Sequence, residues 1–283
     1  MCRRWGNGPA FIERSANIKK AVRQIIASRT FDNGIVSASE QSIVAEGCIA
    51  DEVRRELRNN GAYFMSEEEA EQLSQLFFRP DGSLNPEVVG KPALELARRS
   101  GLSVPADTKV LISEQKYVSA ANPYSREKLF PVLAFFVEND WMNACEKCIE
   151  LLLTEGRGHT LVIHSENEQV IREFALKKPV SRVLVNTPAT LGGIGATTNL
   201  FPALTLGCGA AGGGFTSDNV SPLNLINIRK VGYGVRNLED VTNGVEAEKA
   251  DETMKVPMFA NQNTMEGSSD LIGLLGKLLE QLT

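Results

Sequence analysis

Long apolar runs are missing from this sequence. No stretch approaches the roughly 20 consecutive apolar residues that a bilayer-crossing helix needs, and the opening Met1-Cys2-Arg3-Arg4-Trp5 leads into no apolar signal core. A cytoplasmic protein with no membrane partner is expected. An excess of positive charge is missing too: 30 Lys and Arg are set against 35 Asp and Glu, for a formal charge of -5. The two signs are interleaved, so no basic surface is available to neutralise phosphates, and nucleic acid is not expected as a partner. Cysteine is scarce, with Cys2, Cys48, Cys145, Cys148 and Cys208 too few and too scattered for a disulfide framework, which agrees with a reducing compartment. Histidine is scarcer still. His159 and His164 stand five residues apart on an expected strand and so on opposite faces, which rules them out as a metal pair; no metal site is expected.

What the 283 residues do contain, at 42% hydrophobic and 23% charged, is enough apolar material for one large or two modest domains. Ile18, Ala21, Val22, Ile25 and Ile26 recur at helical spacing until the turn-forming Asp32-Asn33-Gly34. That helix delivers the chain to Ser37. Ile43-Val44-Ala45 precedes a charged helix over residues 49–60, stopped by Gly61, and Ser66 with Glu69 forms a capping-box pattern for a helix reaching Phe77. Further helices are expected over residues 92–100, 141–153 (capped by Asp140) and 166–175, with strands over 109–112, 132–137, 159–164 and 182–185. Apolar strands alternating with crossover helices argue for an α/β domain with a largely parallel sheet. Residues 192–214 are glycine-rich, 223–231 read as another strand, 239–268 as a polar, acidic linker, and 269–282 as an amphipathic helix.

The segment from Thr30 to Gln41 contains Ser37-Ala38-Ser39-Glu40-Gln41. It resembles the active-site loop of CoA-acylating aldehyde dehydrogenases, including those of bacterial microcompartments and the bifunctional aldehyde-alcohol dehydrogenases, which have cysteine where this chain has Ser37. The resemblance runs through Gly6-Asn7-Gly8-Pro9, Arg126-Glu127-Lys128-Leu129, Gly158-His159-Thr160, Asn186-Thr187-Pro188-Ala189 and Leu204-Thr205-Leu206-Gly207-Cys208-Gly209. It implies the reaction of a short-chain aldehyde with NAD and coenzyme A to give acyl-CoA and NADH, with a thiolate as nucleophile. A few per cent of a cysteine is thiolate at neutral pH, whereas a serine hydroxyl needs an adjacent general base, and the sequence does not show one. The position of Ser37 is thus that of a nucleophile that has lost its sulfur. The resemblance further implies that Glu127 holds the nicotinamide ribose, that Leu206 and Gly207 lie at the nicotinamide end of NAD, and that His159 lies near the CoA and aldehyde pocket with a part in catalysis.

Two patterns have blander readings. Cys145-x-x-Cys148 has no second pair and shares a helix face with Trp141, Leu151 and Leu152, so small buried residues are expected rather than metal or redox chemistry. Gly207 to Gly212 satisfies G-x-G-x-x-G, but Gly213, Gly214, Thr216, Ser217, Asp218 and Pro222 follow where a helix should begin, so it is not expected to be a dinucleotide fingerprint.

By the same resemblance most of an amino-terminal cofactor-binding domain precedes Gly6 in the full-length family, so residues 1–13 are expected to be its remnant. Residues 14–206 then form the catalytic α/β domain, 207–238 the glycine-rich loop and a carboxy-terminal oligomerisation strand of a homo-oligomer, 239–268 the linker and 269–282 a targeting helix. Gly273 and Gly276 each cost roughly 1 kcal/mol inside that helix, so its leucine face needs a partner. It resembles the encapsulation peptides that bind microcompartment shell proteins, which implies the lumen of a bacterial microcompartment. The expected activity is that of an acylating dehydrogenase lacking its nucleophile; the rival is a catalytically silent cargo or oligomer-forming subunit.

Overall fold

The structure, a computed structural model, describes residues 6–154 and 160–235. Contacts divide the chain into a compact unit, Met1–Asn227, and a second unit, Ile228–Thr283. Of the second, residues 228–235 are described, and they contain neither helix nor strand. The expected linker over 239–268 and helix over 269–282 lie outside the described residues, as does His159.

The first unit is built on seven strands, β1 (Pro9–Ile12), β2 (Ser42–Glu46), β3 (Ala62–Phe64), β4 (Val110–Glu114), β5 (Val132–Glu138), β6 (Thr160–His164) and β7 (Arg182–Val185). They form one sheet in the order β3-β4-β5-β2-β1-β6-β7, and every neighbouring pair is parallel. Parallel neighbours require crossovers, supplied by α1 (Ile18–Thr30), α2 (Ala50–Asn59), α3 (Glu67–Ser74), α4 (Ala93–Arg99), α5 (Trp141–Thr154) and α6 (Glu168–Leu176).

Both faces of the sheet are covered, and the alternation of side chains along each strand shows how. Phe11, Val44, Val132, Ala134 and Phe136 point into one core, with Leu73, Phe77, Leu96, Cys148, Leu151 and Phe174 of the α3 to α6 side. Their neighbours Ala10, Ile12, Ile43, Ala45, Leu133 and Phe135 point into the other, with Ile18, Val22 and Ile25 of α1 and Val53 and Leu57 of α2. The result is an α/β/α sandwich, the expected class.

Local signals match the elements they announce. Ser66 and Glu69 form the capping box of α3, and Asp140 accepts from the Asn143 amide at the start of α5. The strand expected over residues 223–231 is corrected. Pro222–Leu225 is a single 3-10 turn and no described residue after it joins a sheet. Apolar residues such as Leu223, Ile226 and Ile228 satisfy a strand pattern, but a strand exists only where another backbone completes its ladder. Among the described residues no helix is long and apolar enough to cross a membrane.

Candidate active site

The residues singled out by sequence gather at the amino-terminal edge of the central strands. Ser37 lies five residues before β2, Glu127 five before β5, and Gly6 three before β1. This is the opposite edge from the carboxyl ends where open α/β sheets usually bind ligands. A groove of about 1090 Å³ does occupy the carboxyl ends of β4 and β5, lined by Glu114, Gln115, Val137 and Glu138, but neither Ser37, Glu127 nor Leu206 lines it.

Helix α1 brings the chain to Ser37 through a sharp reversal. Asp32 and Asn33 both have φ of 48° and Gly34 has φ of 78°, the left-handed region that Asn, Asp and Gly tolerate best. A Cβ on Gly34 would also press on the Phe130 backbone at 3.0 Å. Ser37 follows in a turn, half-buried, while Ala38, Ser39, Glu40 and Gln41 are buried.

Ser39, Glu40 and Gln41 tie the Ser37 turn to different elements. The Gln41 amide donates to the Gly8 carbonyl at 2.8 Å, and its side-chain oxygen accepts from the Lys128 amide at 2.8 Å. Ser39 Oγ accepts from Arg29 at 2.8 Å. Glu40 Oε1 accepts from the Ala189 amide at 2.9 Å, at the start of the short helix α7 (Ala189–Gly193). Ser28 Oγ and Thr190 close the same contact at 2.8 Å.

Arg29 is the hub beneath the turn. Fully buried, it donates to the carbonyls of Lys128, Phe130 and Val132 at 2.6, 2.5 and 3.1 Å, besides Ser39. Burial pushes its guanidinium down to about 9, opposed by the nearby Glu40 and Glu127. Burial likewise pushes the Glu40 carboxyl up to about 7, and Glu40 Oε2 is buried without a hydrogen-bond partner.

Ser37 and Glu127 come together although they are far apart in sequence, and Leu206 lies close to Ala38, the residue after Ser37. Glu127 is buried, not a surface carboxylate, and its Oε1 accepts from the Gly6 amide at 2.7 Å. A Cβ on Gly6 would collide with the Ser37 carbonyl oxygen and come within 3.2 Å of Glu127 Oε1. Gly6 is therefore wedged between the two. On the other side, a Cβ on Gly193 would meet Ala38 at 3.4 Å and Leu206 at 3.6 Å.

The loop carrying Leu206 folds back on itself, with Gly207 and Gly209 amides donating to the carbonyls of Asp218 and Thr216 at 2.8 and 2.9 Å. A side chain at Gly207 would strike the Thr216 carbonyl, so the loop itself demands glycine there. Arg182 of β7 clamps it through Asn219, Gly207 and Ser217 at 2.7, 2.7 and 2.9 Å. Ala210–Gly212 is a lone 3-10 turn, consistent with setting the dinucleotide fingerprint aside. Cys208 in this loop is disulfide-bonded, which the scattered cysteines did not signal; Cys48, Cys145 and Cys148 are free.

Arg29 and Gly193 stood outside the expected site, and Glu40 and Lys128 stood in its motifs without an assigned role. Arg29 had a signal. It falls four residues after Ile25 on the apolar stripe of α1, where a charge is out of place unless it is buried and bonded.

No family model matches the chain. Over 238 residues it is 39% identical to the bifunctional aldehyde-alcohol dehydrogenase AdhE of Escherichia coli, an alignment covering 82% of this chain and 27% of that protein. A probable aldehyde dehydrogenase from Listeria monocytogenes, solved by crystallography, matches with a TM-score of 0.80 and 59% identity over 84% of this chain and 52% of that one. The acetylating aldehyde dehydrogenase from Geobacillus thermoglucosidasius matches with a TM-score of 0.79 and 45% identity over 83% and 52%. The chain thus spans about a quarter of the bifunctional relative and about half of these solved dehydrogenases. These likenesses of sequence and of fold support the acylating aldehyde dehydrogenase family for this chain.

Proposed function

We propose that this chain carries the acyl-transfer half of an acylating aldehyde dehydrogenase site, in which Ser37 stands at the nucleophile position. The reaction of such a site joins an aldehyde, NAD and coenzyme A into acyl-CoA, NADH and a proton. The carrying observation is the packing of Ser37 and Glu127 on the two sides of Gly6. Among relatives, a propionaldehyde dehydrogenase of Rhodopseudomonas palustris has been solved with bound CoA and an acylated cysteine.

The residues suit a nicotinamide cofactor. Glu127 offers a buried carboxylate, an acceptor matched to ribose hydroxyls, and Leu206 offers an apolar surface for a ring. NAD would supply the hydride acceptor. Glu127 would orient the ribose, Leu206 and Gly207 would flank the nicotinamide, and His159 would assist near the thioester. Ser37 is the weak point, since a hydroxyl yields far less anion at neutral pH than a thiol.

Negligible turnover by the chain as it stands is therefore expected. Purified protein with acetaldehyde or propionaldehyde, NAD and CoA should form no more NADH than a heat-inactivated control; clear CoA-dependent NADH would overturn this. Ser37 also favours a second reading, a silent cargo or oligomer-forming subunit of a homo-oligomer. A propionaldehyde dehydrogenase of similar fold belongs to a Clostridium phytofermentans fucose-utilisation microcompartment, and residues 269–282 would then bind a shell protein. Fusion of residues 239–283 to a fluorescent protein tests it: puncta in a shell-forming bacterium support it, and diffuse fluorescence contradicts it.

A further inference from the structure

The Cys145-x-x-Cys148 spacing has no part in the reaction above, yet the fold gives it an unusual neighbour. Helix α5 turns both thiols inward, leaving Cys145 3% and Cys148 0% exposed. Lys178, just beyond α6, is itself buried, and its Nζ lies 3.0 Å from the Cys145 carbonyl oxygen and 2.5 Å from Cys145 Sγ. The same Nζ sits 3.8 Å from the centre of the Phe174 ring. A buried ammonium normally requires a carboxylate, but these described partners are a carbonyl, a sulfur and a ring. Of these, the sulfur is the atom that can form a covalent bond with the amine once it is oxidised. Burial pushes the neighbouring Cys148 thiol well up and keeps it protonated.

We propose that Cys145 and Lys178 form an oxidant-closed cross-link, in which a hydroperoxide oxidises the Cys145 sulfur and the lysine amine captures the product as an Sγ–Nζ bond. The sulfur attacks a peroxide oxygen, the O–O bond breaks, and sulfur gives up two electrons to become a sulfenic acid while the other peroxide oxygen leaves with the thiol's proton as an alcohol. The amine then attacks sulfur; the S–O bond breaks and the hydroxide departs with one amine proton as water. In sum, thiol, amine and hydroperoxide yield the sulfur–nitrogen link, an alcohol and water. Thiols reverse it, as they do other two-electron sulfur oxidations.

The link would staple α5 to the segment entering β7. Arg182, which clamps the Leu206 loop, lies four residues beyond Lys178, so oxidation at this pair acts on the anchor of the candidate site.

Treatment of the purified full chain with hydrogen peroxide, blocking of remaining thiols, digestion and mass spectrometry tests the proposal. The expected product is one peptide pair joining Cys145 to Lys178, lighter than the separate peptides by two hydrogens and split again by dithiothreitol. Cys148→Ser should retain it, and Lys178→Arg should abolish it. A Cys145–Cys148 disulfide, or Cys145 carried to sulfinic acid beside an unmodified Lys178, would overturn the proposal, and the unmutated chain alone decides between these results.

Discussion

At the scale of single residues, the candidate site is held by buried charge. Arg29 Nη2 shares its two hydrogens among the carbonyls of Lys128, Phe130 and Val132, while Nη1 donates to Ser39, so one guanidinium ties the Ser37 turn to β5 and the segment before it. Arg29→Met should therefore cost about 3 kcal/mol, measured by urea unfolding, because the carbonyls of Lys128, Phe130 and Val132 lose a charged donor. A loss under about 0.5 kcal/mol, the range of ordinary surface changes, would show that the hub is dispensable. Glu40 and His164 form an opposed pair in their response to pH. Burial raises Glu40 from 4.5 to about 7, so the folded state holds this proton more tightly and the associated stability, complete below 4.5, is lost as pH rises to 7. Burial lowers His164 from 6.5 to about 4, so the unfolded state holds that proton more tightly and stability recovers as pH rises from 4 to 6.5. Each slope amounts to roughly 3 kcal/mol when complete, and between pH 4.5 and 6.5 they oppose one another. Glu40→Gln should expose a stability that rises with pH across this window, and His164→Gln one that falls; parallel profiles in the two variants would refute the assignment.

At the scale of elements, what could be read in advance depended on whether a segment carries its own instructions. Helices α1, α2, α3, α5 and α6 combine an apolar stripe with a cap or a stop, and each appears within a few residues of its expected span. The α3 capping box is the clearest case, and Ser66→Ala should destabilise the fold by about 1 kcal/mol in thermal or urea unfolding. No change there would mean that packing of Leu73 and Ala70 alone fixes the helix. Strands β1 (Pro9–Ile12) and β3 (Ala62–Phe64) were not among the expected strands, whereas β7, no longer than β1, stood out through its unbroken β-branched and leucine run Val183-Leu184-Val185. Yet β1 sits between β2 and β6 near the middle of the sheet, so its place is decided by neighbours distant in sequence. The 223–231 segment failed in the other direction, its apolar pattern having no ladder among the described residues to join. At the candidate site, Ser37, Glu127 and Leu206 were expected from family resemblance alone, whereas Glu40, Lys128 and Gly193 make contacts that no local pattern announces.

At the scale of the whole molecule, a parallel sheet buried on both faces sets several loops at one edge, and the Ser37 turn is fastened there to β1, β5 and α7 by Gln41, Arg29 and Glu40. Such a frame fixes the position of residue 37 whatever atom its side chain ends in. The central claim is that this position belongs to an acyl-carrying nucleophile. It is tested most directly by mixing a Ser37→Cys variant with propionyl-CoA and following release of CoA together with the mass of the protein. That half reaction needs neither hydride transfer nor turnover. One thioester-linked propionyl group is expected, mapped to position 37 and removed by hydroxylamine, with none on the unmutated chain. A variant that folds as the parent does and takes up no acyl group at that position, or a parent chain acylated equally well, would contradict it.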